Sequence, residues 1–417
     1  MSRDASSDRP DGQQVPTDQA SPEQGPPGQA GGQPVRRFLS GQFLSDEPSG
    51  RRMPTDFSIS VRPGHGALAD REPSPERRQS MRGFEDGFSD IVDYIVRITH
   101  RIWEDQDAGY IYDTYAPGCV VYDDSGAHFG VERVVQGTIG SIHAFPDIRS
   151  YADDVIWAGD DEQGFATSHR YINTGHHQGA WQYGPATGRT LNMWGIANCV
   201  VIDNEIVEEW VLYNMASKLR QLGIDVVEAA RAHGNALAEG VAPARHVPEV
   251  WRLDGGRKPL PFQPDPSRPW IDQFVRGLWH DVFNRRDLSA IRRAYSPTVH
   301  WNGTSDRVGH GAGDVLAFSR ALLATFPDLG VLVEEVYWMG NDEDGYRVSL
   351  RWSGAGTHRG HALYGEPSGR RVHLWGISQL YVSGGRITTE WSLFNEFDVL
   401  AQIMADQPLE LDLRGRR

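Results

Sequence analysis

One segment of this chain, residues 145–214, occurs a second time as residues 326–395. Both segments begin with Phe-Pro-Asp, and the displacement that aligns these tripeptides also carries Trp210 onto Trp391 (391 − 210 = 181) without a gap. A match of this length is not expected by chance, and its period lies far above the roughly 20–50 residues of repeat arrays. The sequence therefore predicts two copies of one complete globular domain.

Length and charge limit what such a chain can do. With 417 residues, each copy is long enough to bury a core of its own. The formal net charge of −15 argues against nucleic acid or an anionic membrane as a partner, because binding to either relies on basic surface. No apolar run approaches the ~18 residues of a membrane helix, and the N-terminal residues lack the apolar core of a secretory signal. These features predict a cytoplasmic protein, in which Cys119 and Cys199 are buried free thiols.

Composition divides the chain into five segments. Residues 1–83 are rich in Pro, Gly and Gln and are expected to form a disordered tail, although Phe57 to Val61 could dock on a partner or on the folded part. The predicted segments that follow are a first domain, a linker, a second domain and a C-terminal tail: 84–240, 241–267, 268–404 and 405–417.

The hydrophobic pattern predicts the same elements in each copy. Ile91, Ile95, Ile98 and Ile102 recur at helical spacing, and residues 270–284 repeat that pattern. A short helix, a strand after Tyr-x-Pro and a helix that ends at Phe-Pro-Asp come next. Four runs of β-branched and aromatic residues then complete each copy. This order predicts an α+β domain in which helices cover one face of a curved antiparallel sheet.

These motifs resemble the SnoaL-like polyketide cyclases (ester cyclases) of the NTF2-like superfamily. The resemblance rests on a Gly-x-His-x-Gly motif at 175–179 and 356–360, and on a Pro-Thr-Gly-Arg-like turn at 185–189 and 367–370. A closing Glu-Trp strand follows in both copies. The family implies two tandem cone-like domains, each around an apolar pocket. It also implies that the copies pack sheet against sheet as an intrachain pseudo-dimer, with further oligomerisation left open.

The resemblance also implies a reaction without a cofactor, in which a carboxylate acts as general acid/base beside a histidine. The family position four residues after the strand tryptophan is usually Asp, but here it is Asn214 and Asn395. An amide does not exchange a proton at neutral pH, so another carboxylate must do that work.

Alternation along the Glu-Trp strand places Glu208 on the tryptophan's face and Glu209 on the opposite face. Because Glu208 corresponds to Thr389, we expect copy one to carry proton transfer through Glu208, with His177 near the pocket mouth and Asn214 polarising a carbonyl. Glu209 and its counterpart Glu390 are secondary candidates, because they lie on the opposite face, where a solvated or interface carboxylate is expected.

The remaining histidines are candidates with weaker support. His177 and its counterpart His358 either bond their own turn or line the pocket mouth, whereas His169, His300 and His373 could face the cavity. No cluster has the spacing of a metal site, and no metal is predicted.

Aromatic side chains are the candidates for substrate binding, with core filling as the alternative. Together with His373 they are Trp181, Trp194, Trp210, Tyr213, Trp375 and Trp391. The predicted function is acid/base catalysis, cyclase-like or of an isomerase, dehydratase or hydrolase type, on a small apolar, carbonyl-bearing molecule. A non-catalytic small-molecule binding protein and an assembly protein with a recruiting tail are the alternatives.

Overall fold

The computed structural model describes residues 50–61, 76–240, 259, 261–407 and 409. Most of the predicted N-terminal tail, linker and C-terminal tail lies outside these residues. Copy one consists of α1 (Ile91–Trp103), α2 (Ile111–Thr114), β1 (Tyr115–Asp123), β2 (Gly126–Phe129), α3 (Val131–Ala144), β3 (Arg149–Asp160), β4 (Gly164–His176), β5 (Thr190–Ile202), β6 (Glu205–Leu212), α4 (Met215–Gln221) and α5 (Val226–Ala238). Copy two consists of α6 (Trp270–Trp279), α7 (Ser289–Ala294), β7 (Tyr295–Gly303), β8 (Arg307–His310), α8 (Ala312–Thr325), β9 (Gly330–Asn341), β10 (Gly345–Thr357), β11 (Arg371–Ser383), β12 (Arg386–Phe394) and α9 (Glu396–Met404).

Each copy contains one six-stranded sheet, in the order β2-β1-β6-β5-β4-β3 and β8-β7-β12-β11-β10-β9. This architecture confirms the predicted α+β class and the tandem duplication. The sheets are mixed, however, because β1 pairs parallel with β6 and β7 pairs parallel with β12. Hairpins join the last four strands and enforce antiparallel pairing there, whereas the first long strand is separated from its neighbour by the whole domain.

The first helix of copy one differs from that of copy two. In copy one, the Asp90 carboxylate caps α1 by accepting from the Val92 and Asp93 N–H groups, and the predicted isoleucine stripe is buried. In copy two, the regular helix stops at Trp279 and continues as a π-helical turn, His280–Asn284. Such turns are rare and often shape functional sites.

The two sheets face each other, and their contacts are reciprocal. The Arg170 guanidinium lies 4.5 Å from the Trp391 ring centroid, and the equivalent Arg351 lies 3.8 Å from that of Trp210. These four residues are related by the same displacement of 181 (351 − 170 and 391 − 210). The contacts therefore have the self-complementary form of a two-fold dimer interface, within one chain.

Two polar pairs show the same reciprocal contact between the copies. Gln379 Nε2 donates to Ser168 Oγ at 2.9 Å, and the equivalent Asn198 Nδ2 donates to Ser349 Oγ at 3.3 Å. Helix α5 adds a further contact by packing on α9 of copy two. Its Gly234 comes so close that a Cβ atom there would meet the Ala401 carbonyl oxygen at 2.6 Å.

Residues 50–61 cross the edges of both sheets. The Arg52 carbonyl accepts from the Gly159 N–H at 2.7 Å, and the Pro54 carbonyl accepts from the equivalent Gly340 N–H at 3.0 Å. The Phe57 ring lies against Gly340 and beneath the Arg347 guanidinium. This part of the N-terminal region therefore docks on the folded domains.

Two further features concern the described residues only. Cys119 and Cys199 are buried free thiols, as predicted. No helix in this part of the chain is long and apolar enough to cross a membrane.

Candidate functional site

Copy two encloses a cavity with an empty volume of about 690 Å³, including solvent at its mouth. Helices α6, α7 and α8 and the π-helical turn form one wall, and the inner face of the sheet forms the other. Its lining is mostly aromatic and aliphatic, with a few hydroxyls and one carboxyl. The residues include Trp279, Phe283, Tyr295, Trp301, Phe318, Trp352, Ser378, Glu390, Ser392 and Phe394. A mostly apolar lining with a few polar groups is typical of sites that bind small organic molecules.

Glu390 is the acid in this cavity. Its side chain is buried, and it accepts hydrogen bonds of 2.5 Å from both the Tyr295 hydroxyl and the Ser392 hydroxyl. Burial raises the pKa of Glu390, and the hydrogen bonds from Ser392 and Tyr295 offset only part of that effect. The arrangement is an oriented carboxyl that holds its proton more tightly than a solvated one.

Glu209 occupies the equivalent place in copy one. It accepts a 2.9 Å hydrogen bond from Tyr115, and burial raises its pKa to about 7, with the charge of Asp123 adding to the rise. The Tyr-x-Pro motif seen in the sequence thus supplies the partner of the acid in both copies. Neither tyrosine was among the predicted site residues.

The expected orientation of the Glu-Trp strand is wrong. Alternation does separate Glu208 from Glu209, but the Trp210 face packs between the two sheets with Trp375 and Leu393. Glu209, and not Glu208, points into the copy-one interior, because the second copy covers the tryptophan's face.

The aromatic residues predicted to bind substrate fall into two groups, one between the sheets and one inside copy one. Trp194, Trp210, Trp375 and Trp391 lie between the sheets, where Trp194 meets Trp391 at 4.9 Å between ring centroids. Tyr213 and Trp181 belong to the copy-one interior. The indoles that line the copy-two cavity are those of Trp279, Trp301 and Trp352.

Both asparagine side chains are engaged in hydrogen bonds within the protein. Asn214 Oδ1 accepts from the Ser305 N–H at 2.8 Å, and its Nδ2 donates to Asp306 at 3.3 Å. Asn395 Oδ1 accepts from the Trp375 N–H at 2.9 Å, and its Nδ2 donates to Asp398 at 2.9 Å. The Asn214 amide is thus held by copy two and the Asn395 amide by β11 and by Asp398 of α9, which argues against the expected role of Asn214 as a carbonyl-polarising group.

Paired histidines close the turn after the fourth strand of each sheet. His177 Nδ1 faces Thr187 Oγ1 at 3.1 Å, and His358 Nδ1 faces Ser368 Oγ at the same distance. Both rings are fully buried, and burial lowers the pKa of each. This geometry matches the hydrogen bond to their own turn, one of the two alternatives.

The single-copy histidines lie in three different environments. His169 stands beside Tyr171 in the copy-one interior, where burial lowers its pKa to about 4. His300 is exposed, and His373 shares the face of Trp375 by alternation. None of them lines the copy-two cavity. Among the described residues, no group of three or more His, Cys, Asp or Glu side chains could hold a metal ion.

The fold and the enclosed acid define an NTF2-like α+β protein with an apolar cavity in its second copy. The model of the SnoaL-like polyketide cyclase family matches residues 93–222 and 273–403, which is more than half of the chain. The protein therefore belongs to the SnoaL-like polyketide cyclase family, as a tandem duplication.

Solved structures match one copy at a time. A proposed SnoaL-like polyketide cyclase from Jannaschia sp. CCS1 is 21% identical, and the match covers 35% of this chain and 100% of that chain with a TM-score of 0.31. IdmH, a proposed polyketide cyclase from Streptomyces antibioticus, is 21% identical over 31% of this chain and 96% of its own, with a TM-score of 0.27. AclR, a proposed hydroxylase from Streptomyces galilaeus, is 25% identical over 32% of this chain and 79% of its own, with a TM-score of 0.28. No curated protein matches this chain.

Proposed function

We propose that this protein is a cofactor-free general acid/base enzyme whose active site is the copy-two cavity. Its substrate is a small apolar molecule that carries a carbonyl group, and Glu390 moves the proton on the carbon beside that carbonyl. The observation that carries the proposal is a buried carboxyl, oriented by Tyr295, in the wall of an apolar cavity.

Burial makes Glu390 a stronger base than a solvated carboxylate. A solvated carboxylate is a weak base at neutral pH, whereas a raised pKa brings the pKa of the group nearer to neutrality. The hydrogen bond from Tyr295 holds the carboxyl in one position, which lowers the cost of ordering it during the reaction.

When the proton leaves the carbon, negative charge would develop on the carbonyl oxygen. Ser378 lies in the same wall, 2.7 Å from the Ser392 oxygen, and because the Ser392 O–H donates to Glu390, the Ser378 hydroxyl is the one that can donate to an enolate oxygen. The Trp301 and Trp352 rings supply flat apolar surface for a ring-bearing substrate.

A direct test follows the proton and needs no knowledge of the natural substrate. The apolar bicyclic ketone 2-tetralone is incubated with the full chain in deuterated buffer, and loss of its α-proton signals is followed by NMR. We expect exchange above the buffer rate that saturates with ketone concentration. Binding of the ketone without any such exchange would contradict the enzymatic proposal.

That contrary result would favour the second candidate, a binding protein that keeps the cavity but performs no chemistry. The specific observation in its favour is Asn395, which stands where the family usually has Asp and is engaged by Trp375 and Asp398. Quenching of tryptophan fluorescence by 2-tetralone measures binding separately from exchange.

A further inference from the structure

Lysine is almost absent from this chain. Of its 41 basic residues, only Lys218 and Lys258 are lysines, which leaves 39 arginines (41 − 2). Lys258 lies outside the described residues. Lys218 belongs to α4 and is buried inside copy one, with 7% of its surface exposed. Arginine is the usual cation of this protein, so a buried lysine is the exception that needs a reason.

Two aromatic rings hold the Lys218 amine. Its Nζ lies 4.5 Å from the ring centroid of Phe145 and 4.3 Å from that of Trp181. Trp181 is only partly buried, so the ring that contacts the amine is itself reached by solvent. Among the described residues, none forms a hydrogen bond or an ion pair with this amine. It is held by ring faces and stays available for another bond.

Copy two shows that the fold does not need this group. By the displacement that relates the copies, Lys218 corresponds to Val399 (399 − 218 = 181) and Trp181 corresponds to Ala362 (362 − 181 = 181). An aliphatic side chain therefore suffices at the position of Lys218. A buried ammonium is costly to desolvate, and the same fold forms without it.

A carboxyl near Lys218 is also replaced in copy two. Asp124, whose charge acts on Lys218, corresponds to Thr304 (304 − 124 = 180). Asp124 accepts from the Tyr213 N–H at 2.6 Å, and the Thr304 hydroxyl accepts from the equivalent Phe394 N–H at 2.8 Å. A neutral hydroxyl thus performs the structural task, so the buried carboxyl and amine of copy one are additional chemistry.

Lysine and arginine differ in what such a position can do. Burial lowers the pKa of Lys218 to about 8, so part of the amine is unprotonated near neutral pH. An unprotonated amine is a nucleophile for carbonyl carbon, whereas a guanidinium stays protonated.

We propose that Lys218 forms an imine with an aldehyde that carries an aromatic or apolar group, which makes copy one a second, covalent site for a different class of carbonyl compound. The amine nitrogen bonds to the carbonyl carbon, and the carbonyl oxygen leaves as water together with the two amine hydrogens. The partly exposed Trp181 ring lies beside the new bond, where it can contact the apolar part of the ligand. The site lies in copy one and does not depend on the proposed chemistry of Glu390.

The two-lysine sequence makes the test unusually clean. The full chain is incubated with benzaldehyde and sodium cyanoborohydride, which reduces an imine to a stable benzylamine, and the adducts are located by peptide mass spectrometry. We expect the Lys218 peptide to carry at least about ten times the adduct found on Lys258 or the N-terminal amine. Labelling of Lys218 at or below the level of Lys258 would overturn the proposal.

Two variants separate imine formation from other causes. Lys218→Arg keeps a cation beside the rings but cannot form the imine, so the excess adduct should vanish while the melting temperature stays near that of the natural chain. Glu390→Gln should leave labelling of Lys218 unchanged, because it alters the other copy. Persistent excess labelling within residues 215–221 of Lys218→Arg would show that the amine is not the reacting group.

Discussion

The Tyr295 hydroxyl donates a 2.5 Å hydrogen bond to Glu390, the acid in the wall of the copy-two cavity. The same pair exists in copy one as Tyr115 and Glu209, at 2.9 Å. Duplication therefore preserved the oriented acid twice, while its surroundings diverged. Ser378 and Ser392 stand near Glu390, whereas the equivalent positions of copy one hold Ala197 and Val211 (378 − 197 = 181 and 392 − 211 = 181). Only the Glu390 wall carries hydroxyls at these two positions.

Glu390→Gln should abolish most of the α-proton exchange of 2-tetralone. Glutamine keeps the shape of the carboxyl and can still accept from Tyr295, but it does not titrate. Loss of a general base typically costs about 10²–10⁴-fold in rate. The measurement is the exchange rate by NMR at saturating ketone, alongside the dissociation constant from tryptophan fluorescence.

Two matched variants serve as controls for that loss. Glu209→Gln changes the equivalent acid of copy one, and Glu208→Gln changes the carboxyl on the tryptophan's face. Both should retain exchange within about threefold of the natural chain. If Glu208→Gln abolished exchange while Glu390→Gln preserved it, the active site would lie in copy one.

Glu209→Gln should also show that the buried Glu209 carboxyl lowers the stability of the folded chain as the pH rises. The pKa of Glu209 is raised to about 7, so the folded state binds this proton more tightly than the unfolded chain. Its contribution to stability is full below the unfolded pKa of about 4.3 and is lost as the pH rises through about 7. Glutamine mimics the protonated acid at every pH.

The melting temperature of Glu209→Gln minus that of the natural chain should therefore be larger at pH 8 than at pH 5. Asp124, whose pKa burial raises to about 8, has the same sign but remains in both proteins. A difference that stayed constant or fell with rising pH would mean that Glu209 is not held in its protonated form.

Trp210→Ala should weaken the contact between the copies. The Trp210 ring is buried beneath the Arg351 guanidinium and between the two sheets. Truncation leaves a cavity in that layer, and such changes cost about 3–5 kcal/mol in the free energy of unfolding. Urea denaturation followed by circular dichroism provides the measurement.

Arg351→Met is the comparison for this layer. It removes the cation above the ring but keeps an aliphatic chain, and Glu335 still has Arg51 at 3.6 Å. The loss should be smaller, about 2 kcal/mol or less. A larger loss for Arg351→Met than for Trp210→Ala would place the main stabilisation in the charge and not in the ring.

The duplication, the α+β class and the order of the elements could be predicted from the sequence, because each depends on the pattern of residues along the chain. The face of the Glu-Trp strand that points into the domain interior could not be predicted in this way. Alternation separates Glu208 from Glu209 but does not reveal which face meets a second sheet, and here both faces are buried. The tryptophans predicted to bind ligand lie between the sheets for the same reason.

Other features needed the structure or a signal that was overlooked. The cavity beside Glu390 depends on how side-chain volumes fill copy two, which no periodicity encodes. Lys218 did have a sequence signal, since it is one of two lysines among 41 basic residues. Alignment of the two copies, which places Lys218 opposite Val399 in the sequence, would have drawn attention to it.

Ser319→Leu tests whether the copy-two cavity is the binding site. Ser319 is buried on α8 and lines the cavity, so leucine would project a branched apolar group into space that the ligand uses. In a packed core, such an enlargement typically costs about 1–3 kcal/mol, because neighbours must move. In an open cavity the added group has room, so the free energy of unfolding should change by less than that, while the affinity for 2-tetralone should fall by about tenfold or more.

Thr138→Leu is the matched control, since Thr138 is the equivalent buried residue of copy one (319 − 138 = 181). It should leave the affinity for 2-tetralone unchanged, because the ketone binds beside Glu390. Tryptophan fluorescence titrations give both dissociation constants, and urea denaturation gives both stabilities. Equal binding by Ser319→Leu and the natural chain, or loss of binding in Thr138→Leu alone, would exclude the copy-two cavity as the ketone site.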